Sequence, residues 1–234
     1  RNRKGPPLMT DSPVRQQRLV VMVSGNGSNL QAVLDACADG RINGRVVAVV
    51  SNKADVFALQ RAADAGVPAV HIGQHQDEDR ADYDARLTEL VAGFDPDLIV
   101  LAGWLRILTL SFLGWFPGRV VNLHPAKSGE LPGIRAIERA WEEAVNGVRS
   151  ESGVMVHFVP DEGVDDGPLL ATESVPIDVS GTIEQFEANM HAVEHRLLVG
   201  VMADLCSRRS SDTHDLHRAA TLDPATPHTT GASQ

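Results

Sequence analysis

The feature that most constrains this chain is an alternation of short apolar runs with amphipathic stretches through its first half. RLVVMVS (18–24) is followed by NLQAVLDACADG (29–40), VVAVVS (46–51), DVFALQRAADAG (55–66) and PAVHI (68–72). The short Val-rich runs read as strands, and the stretches between them repeat apolar residues at helical spacing. That β-α-β-α-β order builds a parallel sheet with helices on its faces. A charged helical stretch follows at 77–93, and then DLIVLAG (97–103), apolar on both alternating sets as a strand covered on both faces must be. RVVNLHP (119–125) ends at Pro125, which cannot donate to a central ladder. A helical stretch at 134–146, a strand GVMVHFV (153–159), an extended LLATESVPI (169–177) and a helix at 182–205 complete the pattern. The expected fold is α/β, a doubly wound, mostly parallel sheet with an antiparallel addition in the C-terminal half.

One domain over 18–206 accounts for these elements, since 43% apolar residues in 234 suffice for a single sizeable core. Residues 1–17 and 207–234 are polar and read as flexible tails, with too little apolar surface to offset chain ordering. A net charge of −10 without a dense Lys/Arg stripe argues against a nucleic-acid partner. No run approaches the ~18 apolar residues that span a bilayer. The start of the chain has no apolar middle of a signal peptide. No membrane partner and a cytoplasmic location are therefore expected. Cys37 and Cys206 lack metal-ligand spacing and read as free thiols, and no metal site is expected. A homodimer is compatible with such a chain, but the sequence does not choose.

Ser24-Gly25-Asn26-Gly27-Ser28-Asn29 joins a predicted strand to a predicted helix, the position where backbone amides form an anion site. Ser28 with Gln31 fits a capping box that would start the helix near Asn29. A dinucleotide fingerprint would need a third glycine at Leu30 and an acid after the second strand, where the chain has Ser51-Asn52-Lys53. The loop therefore suits a monophosphate.

In VVNLHP, Asn122 and His124 stand two apart in an extended segment, so their side chains share one side near the strand's end. A carboxamide beside an imidazole suits acyl transfer, because both can hydrogen-bond an oxygen that becomes anionic as a nucleophile adds to a carbonyl. The loop PDEGVDDGP offers Asp161, Glu162, Asp165 and Asp166 as partner acids. A carboxylate approaching His124 would raise its pKa and favour the protonated ring.

SGNGSNLQA, SNKADVFALQRA, AGWLRIL, NLHPA and HFVPDEGVDDGP, in this order across 18–205, resemble the formyl-folate-dependent transferase family. SGNGSNL points to its branch acting on phosphoribosylglycinamide (GAR). The resemblance implies formyl transfer from 10-formyltetrahydrofolate to the GAR amine, a step of purine biosynthesis, with no metal. A formyltetrahydrofolate hydrolase, or a transferase acting on another amine, is the alternative. It further implies Asn122, His124 and Asp165 as catalytic residues, Asp165 standing two places before Gly167-Pro168. Gly27, Ser28, Asn29 and Glu194 would bind GAR. Arg80, Arg106, Ile107 and Leu108, with Asn122, would bind the folate, the two arginines holding its glutamate carboxylates. The chain departs from the family after Pro125, where Ala126 to Arg135 form a polar, glycine-bearing stretch that suggests a looser loop. Arg135 there is a candidate anion contact.

Overall fold

The computed structural model describes residues 15–207; the tails expected at the two ends lie almost wholly outside this range. Seven strands form one sheet in the order β3-β2-β1-β4-β5-β6-β7. In chain order these are β1 (Gln17–Val23), β2 (Gly44–Ser51), β3 (Ala69–His71), β4 (Leu98–Leu101), β5 (Val120–His124), β6 (Glu151–Phe158) and β7 (Leu169–Pro176). β1 to β5 are mutually parallel, whereas β6 runs antiparallel to β5 and β7 antiparallel to β6. The doubly wound sheet with its antiparallel addition is thus the observed fold.

Among the described residues six helices cover it: α1 (Ser28–Ala38), α2 (Phe57–Asp64), α3 (Arg80–Ala92), α4 (Leu110–Leu113), α5 (Ala136–Val145) and α6 (Ile183–Ser207). β1 divides its side chains between two cores. Leu19, Val21 and Val23 pack with residues of α1, α2, α5 and α6, while Val20 and Met22 pack with Tyr83, Leu87 and Phe112 of α3 and α4. Burial on both faces explains why this strand is apolar at every position from 19 to 23. No helix among the described residues is long and apolar enough to cross a membrane.

Two local readings are corrected. α4 has one turn, too short for a periodic signal, and was not expected. The capping box at Ser28 and Gln31 does not form: the helix is preceded by Gly27 in the left-handed region (φ 78°), with no side-chain cap. Gln31 instead donates to Asp35 and accepts from Arg61. A reciprocal box occurs at α6, where Thr182 N–H donates to Gln185 Oε1 (3.0 Å) and Gln185 N–H to Thr182 Oγ1 (3.4 Å).

The order of winding positions the site. From β1 the chain builds outward through β2 and β3, then returns to place β4 and β5 on the other side. The loops leaving β1 and β4 consequently diverge and leave a crevice at the strands' carboxyl ends. Ser24 ties its two sides together: its N–H donates to Gly103 O (3.0 Å), its hydroxyl donates to Asn52 Oδ1 (2.7 Å), and Leu105 N–H donates to that hydroxyl (2.9 Å).

Candidate active site

β5 delivers Asn122 and His124 to one side of the sheet edge of the crevice, and the loop after β6 brings Asp165 to both. Asn122 Nδ2 donates to Asp165 Oδ1 at 3.0 Å, and His124 Nδ1 lies 3.3 Å from Asp165 Oδ2. Gly133 N–H donates to the same Oδ2 at 2.9 Å. Asp165 adopts a left-handed backbone (φ 57°), a conformation costing a non-glycine residue about 1–2 kcal/mol and tolerated best by Asn and Asp. The preceding strand fixes the loop's entry. Gly167 lies against the Phe158 carbonyl so closely that any Cβ there would collide with it.

His157, not singled out from the sequence, completes the group. It faces Asn122 across the β5–β6 antiparallel register, where Asn122 pairs with His157. Its Nδ1 is 2.8 Å from the Phe158 carbonyl, which can only accept, so Nδ1 carries a proton, and its Nε2 lies 3.1 Å from Asn122 Nδ2 and 3.7 Å from Asp165 Oδ1. The signal was present as the alternation of GVMVHFV, but only the register reveals the facing partner.

His124 is buried, with Nε2 3.0 Å from the Leu131 carbonyl. Burial pushes its pKa below the ordinary histidine value, while Asp165 and the Leu131 carbonyl pull against this. The expected upward pull of the acid is present, but the net direction is downward, because removing the ring from water outweighs it. Burial also acts to raise the Asp165 carboxyl. The neighbouring His157, the Gly133 N–H and the His124 ring outweigh it and hold Asp165 below the usual carboxylate range.

The loop between β1 and α1 packs against α2 and α6. Gly27 reaches a positive φ, and a Cβ there would stand 2.6 Å from Ala58 Cβ, so only glycine lets α2 approach the loop. Asn29 Nδ2 donates to Glu194 Oε2 (3.2 Å), joining α1 to α6 beside the loop, and His191 Nδ1 is 2.7 Å from the same oxygen. Glu194 is 4% exposed, and its pairing with His191 raises that imidazole's pKa.

On the other wall, Arg80 Nε donates to Ile107 O (3.2 Å) and its guanidinium lies 3.5 Å from Glu162, which accepts from Leu110 N–H (3.0 Å). Arg106 lies over the Tyr83 ring at 4.1 Å and donates to Gln74 (3.1 Å). Leu105 (56%) and Ile107 (47%), which flank Arg106 in the chain, and Val164 (39%), beside Asp165 in the chain, are exposed apolar side chains. Leu108, expected to line the folate pocket, is 3% exposed with its side chain in the α3–α4 core. Arg135 is paired with Glu138 (3.8 Å) and Glu142 (3.7 Å) of α5. The 126–135 stretch is cross-tied rather than loose, by Lys127–Glu151, by Glu130–Arg149 at 3.0 Å and by Arg139 to the Pro132 carbonyl at 2.9 Å.

A doubly wound sheet that carries an Asn-His-Asp group near the carboxyl end of β5 and a glycine loop after the carboxyl end of β1 has the architecture of an α/β group-transfer enzyme. The sequence pattern of the formyl transferase family matches residues 17–202, and the chain belongs to that family. The phosphoribosylglycinamide formyltransferase of Escherichia coli is 40% identical over 179 residues, covering 76% of this chain and 82% of that protein. Its counterpart in Schizosaccharomyces pombe is 40% identical over 193 residues, covering 77% and 93%. Among solved structures, glycinamide ribonucleotide transformylase 1 from Symbiobacterium toebii superposes with a TM-score of 0.77 at 35% identity, covering 87% of this chain and 93% of that one.

Proposed function

We propose that the protein transfers the formyl group of 10-formyltetrahydrofolate to the primary amine of GAR, giving formyl-GAR and tetrahydrofolate. The observation that carries this reading is the convergence of Asn122 and His124 on Asp165 at the same carboxyl end of the sheet as a glycine loop, which Asn29 at the start of α1 ties to Glu194. Its relatives of like length are named for the same activity.

Amine attack on the formyl carbon moves negative charge onto the formyl oxygen. Asn122 and His124 are the donors for it, each exchanging one present partner for that oxygen. Asp165 keeps its hold on both side chains and relays the amine's excess proton through water to N10 of the folate, so that the formyl carbon–N10 bond breaks and tetrahydrofolate leaves. Amides of Gly27, Ser28 and Asn29 hold the phosphate at the start of α1, and Glu194 accepts from the ribose or glycinamide end. The exposed apolar side chains of Leu105, Ile107 and Val164 suit a flat ring system, and Arg80 and Arg106 suit its carboxylate tail. The test follows folate absorbance on mixing enzyme, formyl donor and GAR, repeated without GAR. A signal that needs GAR supports transfer, whereas an equal signal without it reveals a hydrolase.

A further inference from the structure

Arg61, on α2, makes no contact with Asn122, His124 or Asp165, yet it brackets the turn assigned to the phosphate. Its Nε donates to the Asn26 carbonyl (2.9 Å), its NH2 group to Asn26 Oδ1 (2.9 Å) and its NH1 group to Gln31 Oε1 (3.2 Å). Asn26 precedes Gly27 and Gln31 lies one turn into α1, so one planar guanidinium holds both ends of the Gly27–Asn29 turn. The Phe57 ring packs under it, 4.6 Å from Cζ. The same turn of α2 touches the loop twice more, through Ala58 N–H to Gly25 O (3.3 Å) and through the close approach of Ala58 to Gly27. Two of the five guanidinium N–H donors remain unengaged, and Arg61 lines a groove of about 520 Å³ whose wall includes Ser28 and His195.

An amide cradle works only if its N–H groups already converge, and a displacement of the order of an ångström is costly. Gly25 and Gly27 give this loop little stiffness of its own, and no side chain caps α1. We propose that Arg61 is a positioning residue for phosphate recognition, its guanidinium fork setting the curvature of the Gly27–Asn29 turn against α2. This rests on the reading of the protein as a GAR formyltransferase. A lysine keeps the charge but not the fork, so the two contributions are separable.

The experiment compares wild type, Arg61→Ala and Arg61→Lys with GAR and with the GAR riboside, which lacks the phosphate. Arg61→Ala raises KM for GAR about 10- to 100-fold, the loss expected when charge-assisted hydrogen bonds holding a site are removed. It leaves kcat within about threefold and KM for the formyl donor unchanged, on the same argument that the interaction is not made at the reacting carbon. Inorganic phosphate protects the variant less well than wild type against heat. With the riboside, the two enzymes have equal kcat/KM. Arg61→Lys stays nearer the alanine variant than wild type. An unchanged KM for GAR, equal losses with GAR and riboside, or full recovery by lysine each overturn the proposal. If Arg61→Ala does not fold, Asn26→Ala removes one of the three bonds and gives a smaller shift with the same selectivity; no selectivity there also overturns it. A wild type that does not formylate GAR at all refutes the functional reading instead, and is distinguishable because it precedes any comparison of variants.

Discussion

Asn122 and Asp165 stand 43 residues apart and meet through a 3.0 Å hydrogen bond from Nδ2 to Oδ1. The other oxygen of the same carboxylate faces His124 and the Gly133 N–H. One acid therefore orients the carboxamide, sets the electrostatics of the imidazole and anchors the loop whose Leu131 carbonyl meets the opposite ring nitrogen. Perturbing it must change all three, and the changes can be told apart.

In Asp165→Asn, the negative charge that opposes burial at His124 is lost, so the His124 pKa falls further below its present lowered position. Titration of the ring by NMR checks this. Turnover falls by about 10²–10⁴, the range for removing a group that moves a proton in the transition state. A His124 pKa that stayed put or rose would mean that the carboxylate is not what pulls against burial.

On the proposed mechanism Asn122→Ala removes one oxyanion donor, while the Gly25–Asn29 loop and Glu194 stay untouched. Turnover should drop by about 10²–10³ with little change in the affinity for GAR, measured by steady-state kinetics alongside calorimetric binding. Near-normal turnover would take Asn122 out of the catalytic group.

The fold was legible because the apolar runs of β1, β2 and β4 are covered on both faces, which leaves a signal that depends on no distant contact. Asn122 and His124 were legible as residue types two apart on a strand, whereas Asp165 stood out among the four acids of its loop only through the family resemblance. The roles of His157 and Arg61 were not legible. His157 acquires its partner from the β5–β6 register, and Arg61 reads as an ordinary exposed helix arginine until α2 is seen docked on the loop. The capping box illustrates the converse. Ser28 and Gln31 have the right spacing, but Gly27 turns the chain by a left-handed residue and Arg61 draws Gln31 away, while the box that does form, at Thr182 and Gln185, went unremarked. The His124 pKa lies below its ordinary value, against the sequence expectation, because a nearby acid is visible in sequence and the depth of burial is not.

Gly27→Ala adds a Cβ 2.6 Å from Ala58 Cβ and strains a backbone at φ 78°. The loop must shift away from α2, so KM for GAR rises at least about tenfold, as expected when oriented amides lose alignment. Stability falls by about 1–3 kcal/mol, the cost of a strained non-glycine position. Parallel kinetics and thermal melts would check both, and an unchanged KM would remove the loop from phosphate recognition.

His124 and His191 should impose opposite pH dependences on stability. Burial holds the folded His124 below its ordinary value of 6.5, so the folded protein binds that proton less tightly than the unfolded chain. Its contribution is whole above pH 6.5 and is lost as the pH falls below it. Glu194 holds His191 above 6.5, so its contribution is whole below that pH and lost as the pH rises through the folded value. His191 is 48% exposed, and solvent screening makes its share the smaller. Denaturant unfolding from pH 5 to pH 8 should therefore show stability rising with pH on the acid side. His124→Asn flattens that rise. Glu194→Gln leaves it in place and lowers the His191 pKa as read by NMR, because the accepting carboxylate is gone. A rise that survives in His124→Asn would show that other groups, and not the buried imidazole, set the acid limb.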